Sequence, residues 1–133
     1  MLAEKGISLV ALGFERVGVE DFAAAKCWDG DALFVDSLSA KNEGVYALLG
    51  TKRGALYQLL RPSVFKASAQ ARKDPSLGGD VSTGDGLQLG GVYIFDKKGN
   101  IIFEHVQKDF TDHPAPEDVI QVALKAIMDD PKE

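Results

Sequence analysis

Cysteine is almost absent. The 133 residues contain one, Cys27, so no disulfide can close within the chain, which suits a reducing compartment. Histidine is nearly as scarce, and neither His105 nor His113 has a cysteine or second close histidine at the spacing of a zinc site. No apolar run approaches the roughly 20 residues that cross a bilayer as a helix, so no membrane span is expected. Basic residues are in deficit, 15 Lys and Arg against 20 Asp and Glu for a net charge of −5. That balance argues against nucleic acid or an anionic membrane surface as the main partner. The opening residues Met1 to Gly6 have neither the basic start nor the apolar core of a signal peptide. The expected location is cytoplasmic, with a plastid or other organelle left open should a targeting segment precede Met1. No cofactor is assigned.

What is present suits a folded α/β chain. With 45% hydrophobic residues, residues 1–133 are expected to form one domain able to bury a core without staples. Residues before Gly6 read as the last turn of a helix. Ile7 to Leu12 reads as a buried strand ended by Gly13, and Val19 to Lys26 as a helix. Ala32-Leu33-Phe34-Val35 forms a second short strand, and Ala40 to Leu49 a helix stopped by Gly50. From Pro62 to Lys73 a helix turns Val64, Phe65 and Ala69 inward and Lys66, Gln70 and Arg72 outward, before a Gly/Ser/Pro/Asp loop over 74–83. Val92 to Phe95 and Ile101 to Val106, joined by Asp96-Lys97-Lys98-Gly99-Asn100, read as a hairpin. The last helix, Pro116 to Met128, sets Val119, Ile120, Ala123, Leu124 and Ile127 on one side. This order predicts an α/β fold whose sheet is mixed.

The chemical motifs are mostly weak. Gly84, Gly86 and Gly90 precede a strand, whereas a dinucleotide fingerprint follows one and opens a helix. Gly50-Thr51-Lys52 lacks the order of a phosphate-binding loop. His105 alternates with Ile101 and Phe103 and reads as a half-buried, hydrogen-bonded residue; Asp112 reads as a turn or cap residue before Pro114. Cys27 follows a helix end and precedes Trp28, Asp29 and Asp31, surroundings that favour the neutral thiol over the reactive thiolate. Lys52, Arg53, Lys66, Arg72 and Lys73 make the middle of the chain locally basic, by default a solvated face.

Taken together, several segments resemble the peroxiredoxin-like 2 group within the alkyl hydroperoxide reductase/thiol-specific antioxidant superfamily. They are Gly84-Asp85, Leu87-Gln88 and Gly90-Gly91 before an apolar strand, then His105, Lys108 and Asp112-His113 leading into the last helix. Upstream, Tyr46, Leu49-Gly50 and Lys52-Arg53 are similar to that group's tyrosine and leucine-glycine helix end. The resemblance implies a thioredoxin-like fold and thiol-based reduction of a peroxide or prostaglandin endoperoxide. A Cys-x-x-Cys opening a helix does this work in the group: a helix-stabilised thiolate attacks the O–O bond and the second cysteine resolves the product. No Cys-x-x-Cys occurs in these 133 residues, so no catalytic residue is assigned, and Cys27 matches neither member of the pair.

The resemblance also implies that the strand and helix preceding Ile7 are missing, leaving the strands at Ile7 and Val92 flanking a gap. Either the polypeptide starts upstream of Met1, another chain fills the gap, or the sheet is rearranged. Two functions follow. One is a thiol-dependent reductase served by a disulfide reductant such as thioredoxin, with Gln88, Gly90, Gly91, Lys52 and Arg53 as substrate or partner contacts. The other is a redox-inactive module that binds a partner or forms a homo-oligomer through the open sheet.

Overall fold

A computed structural model describes residues 2–26, 28–71, 73 and 85–129. Cys27, Arg72, Gly84 and the loop expected over 74–83 lie outside the described residues. Among the described residues four strands form two separate pairs. Strand β1 (Val10–Gly13) lies parallel to β2 (Ala32–Val35), with Val10 opposite Ala32 and Gly13 opposite Val35. Strand β3 (Gly91–Phe95) lies antiparallel to β4 (Ile101–Val106), with Gly91 opposite Val106 and a register irregularity at Ile94–Phe95. No ladder joins the two pairs among the described residues.

The order of elements follows the sequence pattern, with helices α1 (Val19–Ala24), α2 (Val45–Leu48), α3 (Pro62–Ala71) and α4 (Pro116–Asp129) between and after the strands. The hairpin turn is built by one side chain. Asp96 Oδ1 accepts from the amides of Lys98 and Asn100, each at 2.8 Å, and Gly99 takes φ +86°. Pro116 opens α4, where its missing amide is harmless, with Glu117 and Asp118 in the first turn. Val119, Ile120, Ala123 and Leu124 are half-buried on the side of α4 that meets β4, whereas Ile127 is exposed.

Three expected elements differ from those observed. The first strand begins at Val10 rather than Ile7, because β2 offers only four partners. Upstream of the ladder, the Leu9 amide is held instead by Asp31 Oδ2 at 2.6 Å. The helix expected from Ala40 to Leu49 is broken into a 3-10 turn at Ser39–Lys41 and the short α2. Asn42 sits between them at φ +55°, a conformation incompatible with continuing the helix. Gly50 ends α2 at φ +68°, as expected of a glycine stop. Helix α3 stops at Ala71 and leaves Phe65 and Ala69 exposed rather than inward. Its substantial neighbour among the described residues is the 3-10 turn Leu56–Leu60.

The consequence is a thin core. Among the described residues one apolar side chain, Leu89, is buried, at 2% exposure. Large apolar groups stay open, including Phe34, Val10 and Leu48. They border a cleft of about 490 Å³ between β1, β2 and α2, lined also by Leu12, Leu38 and Val45.

Backbone polarity shows which edges are free. The carbonyls of Leu9 and Gly13 accept from Asp31 (2.8 Å) and Asp36 (2.9 Å), so alternate residues of β1 address β2. Val10 and Leu12 therefore turn their backbone groups to the opposite edge. In the other pair Gln107 N donates to Gly90 O at 3.1 Å, which by the same alternation leaves Gly91 and Tyr93 with outward-facing groups.

Candidate functional site

The loop before β3 is tied to the segment after α2. Leu89 N donates to Lys52 O at 2.9 Å, Gly54 N to Leu87 O at 2.7 Å, and Arg53 and Gln88 form an isolated antiparallel bridge. Lys52, Arg53, Gln88, Gly90 and Gly91 are thus brought together in one region. Gly54 is buried, and a Cβ there would stand 2.5 Å from the Phe110 ring, so the backbone needs glycine for this approach.

Gln88 is occupied within the loop. Its Nε2 donates to Leu89 O at 2.8 Å, Thr51 Oγ1 at 3.1 Å and Lys52 O at 3.3 Å. The Arg53 guanidinium is likewise engaged, paired with both carboxylate oxygens of Asp85. That fork holds the Asp85 carboxyl below the usual carboxylate range, helped by the Leu87 amide. The Asp85 amide in turn donates to Glu15, which follows β1. Glu15 carried no signal in the sequence; Asp85 did, as part of the glycine cluster.

Gly90 N donates to Gln107 Oε1 at 2.7 Å, so this amide is already used. Gly91 differs, because its backbone faces the free edge of β3. A side chain there would meet His105 O at 2.8 Å and the Tyr93 ring at 2.8 Å. Glycine at 91 therefore permits the close approach of the β4 backbone and the Tyr93 ring.

Tyr46 links α2 to the other free edge. Its hydroxyl donates to Leu12 O at 2.7 Å, and its ring meets Phe14 edge-on with centroids 5.1 Å apart. Burial, with Asp36 nearby, raises the Tyr46 phenol above its ordinary value. Asp36 is buried and accepts from the amides of Tyr46 (3.0 Å) and Leu38 (3.2 Å). His105 is half-buried as expected and pairs through Nε2 with Asp112 Oδ1 at 2.9 Å; Asp112 Oδ2 accepts from Lys108 N, also at 2.9 Å. Gln107 Nε2 and His113 Nδ1 lie 3.0 Å apart. These are contacts that order a turn. Among the described residues no group of His, Cys, Asp and Glu is arranged to hold a metal.

The parallel pair, antiparallel hairpin and closing helix define the protein's class as thioredoxin-like α/β. A profile of the family described as AhpC/TSA antioxidant enzyme matches residues 1–109, and the chain belongs to that family. It is 30% identical over 126 residues to a prostamide/prostaglandin F synthase of Homo sapiens, a match covering 92% of this chain and 61% of that protein. A protein of the same name from Danio rerio is 32% identical over 127 residues, covering 89% and 58% respectively. The chain thus spans about three fifths of the length of these curated relatives. No solved structure matches it significantly. Its single cysteine means that it carries no catalytic cysteine pair. No helix among the described residues is long and apolar enough to cross a membrane.

Proposed function

We propose that this chain forms the part of a thiol-dependent reductase that flanks the reacting thiols, which are contributed from outside these 133 residues. The substrate class is a peroxide or prostaglandin endoperoxide, as the family resemblance implies and in keeping with relatives that are prostamide/prostaglandin F synthases. The observation that carries this reading is that, among the described residues, neither β1 nor β3 has a strand paired on the edge away from its partner, with the Gln88–Gly91 segment, bridged to Arg53, leading into β3. A strand leading into a Cys-x-x-Cys helix would fill that opening. With a hydroperoxide the first thiolate would take the terminal oxygen as a sulfenic acid while the other oxygen leaves as an alcohol; with an endoperoxide it would form a sulfenate ester with one carbon-bound oxygen while the other leaves as an alkoxide and takes up a proton. The second thiol would then form the disulfide, releasing water from the acid or the second alcohol from the ester, and a dithiol such as thioredoxin would restore the pair. Gly91 serves there as the close-approach backbone, and Gln88 and Arg53 as residues that position the loop. Lys52 keeps its ammonium for an acidic contact. A reducing location such as the cytoplasm accords with this chemistry.

The test is the intact mass and N-terminal sequence of the native polypeptide, with a hydroperoxide assay in the presence of thioredoxin. The expected result is a Cys-x-x-Cys in the native product or its complex, and no turnover by residues 1–133 alone. Turnover by residues 1–133 that is abolished by Cys27→Ser would overturn it in favour of a one-cysteine peroxidase.

The open apolar cleft at Val10, Phe34 and Leu48 favours a second reading. In it the chain is a redox-inactive module whose free edges bind a second copy or another partner. A native product that starts at Met1 and sediments as a stable dimer supports that reading against the first.

A further inference from the structure

We propose that His113 and Gln107 form a proton-operated latch on the Gly90 amide, closed while the imidazole is neutral and released when it takes up a proton. The latch rests on the geometry of the turn after β4 and involves no thiol. Its effect on substrate or partner binding rests on the function proposed above, in which the Gln88–Gly91 segment lies beside the reacting thiols.

Gln107 N donates to Gly90 O at 3.1 Å, as in a bonded antiparallel pair. The return bond is made by a side chain, because Gly90 N donates to Gln107 Oε1 at 2.7 Å. A backbone amide can only donate, so this contact fixes which end of the Gln107 side chain is the oxygen. The other end, Nε2, lies 3.0 Å from His113 Nδ1. Nε2 also can only donate, so Nδ1 is the bare, accepting nitrogen of a neutral imidazole. Both contacts of Gln107 exist together only in that charge state of His113.

Protonation puts a hydrogen on Nδ1 and sets two donors against each other. Turning the Gln107 amide over offers Oε1 to the imidazolium, but Nε2 then opposes the Gly90 N–H. One of the two contacts has to break. A charge-assisted hydrogen bond is roughly twice as strong as a neutral one, so the imidazolium takes the oxygen and the Gly90 N–H is left without its acceptor. His113 is exposed, so solvent protons reach the ring. Its backbone is held between Pro114 and Asp112, and Asp112 is fixed by Lys108 N and His105 Nε2 at 2.9 Å each.

The charged groups on the surrounding segments are Lys108, Asp109 and Asp112 of the same turn, Arg61, which pairs with Asp109, Glu117 and Asp118 at the start of α4, Glu104 on β4, and Lys52, whose carbonyl holds Leu89 N. Among the described residues none of these carboxylates pairs with His113. Carboxylates and ammonium groups ordinarily keep their charge between about pH 5 and 8, the range in which imidazoles change theirs. The other imidazole, His105, donates through Nε2 to Asp112 in either charge state, so its protonation releases no partner.

The test is hydrogen exchange of the Gly90 amide in the isotope-labelled protein between about pH 8 and pH 5, followed by NMR and corrected for the intrinsic rate of a free amide. Protection at Gly90 should fall about three- to tenfold toward the acid end, while the Lys108 amide, held by Asp112, keeps its protection. In Gln107→Glu the side chain has two acceptors and no donor, so it serves Gly90 and the imidazolium at once, and Gly90 should stay protected throughout. His113→Ala should abolish the pH response as well. Protection at Gly90 that does not change with pH in the wild type means that the imidazolium swings into solvent and leaves Gln107 in place, which overturns the latch. A response that persists in both variants belongs to another group and overturns it equally. None of these readouts needs a cysteine pair, so failure of the latch and failure of the proposed function are told apart.

Discussion

Asp36 shows how a single side chain can fix the path of the chain. It ends β2, is buried, and receives the amides of Leu38 and Tyr46, so it caps α2 from ten residues away. Gly44 packs so closely against its carboxylate that a Cβ there would occupy the same space. Asp36→Ala leaves two amides unpaired in a partly buried position and should cost about 1–3 kcal/mol, read as a lower urea midpoint. Gly44→Ala should destabilise too, by forcing the carboxylate out of that position. Tyr46 makes a separable contribution. Removing its hydroxyl in Tyr46→Phe deletes the bond to Leu12 O and should cost about 0.5–1.5 kcal/mol. The pH dependence has a definite sign. Because the folded phenol titrates above its ordinary value of 10.0, its contribution is complete below that value and is lost as pH rises through the higher folded value. Urea midpoints of wild type and Tyr46→Phe should therefore converge above pH 10 and stay apart at neutral pH; a constant gap would assign the tyrosine no titrating role.

Among the elements, those with local causes were legible in the sequence. The hairpin is set by Asp96 and Gly99, and α4 by Pro116 and its apolar stripe; both elements appear as expected, except that Ile127 at the end of the stripe is exposed. The break between Ser39–Lys41 and α2 was not legible, because Asn42 and the distant Asp36 impose it against an apolar pattern that reads as continuous helix. The exposed face of α3 was hidden for the opposite reason: its amphipathic spacing is present, but among the described residues its substantial neighbour is the Leu56–Leu60 turn, and Phe65 stays exposed. In the candidate site, the approach of Gln88 to Lys52 and Arg53 was legible only through family resemblance, and the inward use of the Gln88 amide was not legible at all. The turn joining β4 to α4 gives a test at this scale. The Lys108 amide holds the Asp112 carboxyl below its ordinary range, with His105 adding to the effect. A carboxyl lowered in the folded state contributes stability above its unfolded value and loses it as pH falls through the lower folded value. Acidification should thus loosen this turn, seen as faster exchange of the Lys108 amide. In Asp112→Asn that exchange should be fast already at neutral pH and no longer respond to acid.

For the whole molecule, the governing fact is that the four strands among the described residues make two pairs instead of one sheet. Among the described residues β1 turns backbone groups away from β2 at Val10 and Leu12, and β3 turns them away from β4 at Gly91 and Tyr93. Tyr46 shields part of this array, at Leu12 O. Unsatisfied edges bordered by open apolar groups invite an added strand, whether it carries the thiols, belongs to another copy or comes from a partner. Either proposed function therefore predicts concentration-dependent association of the purified chain at micromolar concentration, measured by sedimentation. Proline at position 10 separates edge pairing from general stickiness. The Val10 amide points away from β2, so Val10→Pro should spare the parallel ladder while removing the donor and adding bulk on the free edge. Val10 is itself half exposed, at 50%, which leaves the ring room without disturbing a packed interior. A folded, monomeric Val10→Pro beside a self-associating parent would place association on the β1 edge. Equal association of the two would move it to the β3 edge or to the apolar cleft, and a parent that stays monomeric throughout would show that these edges do not recruit a strand from another copy.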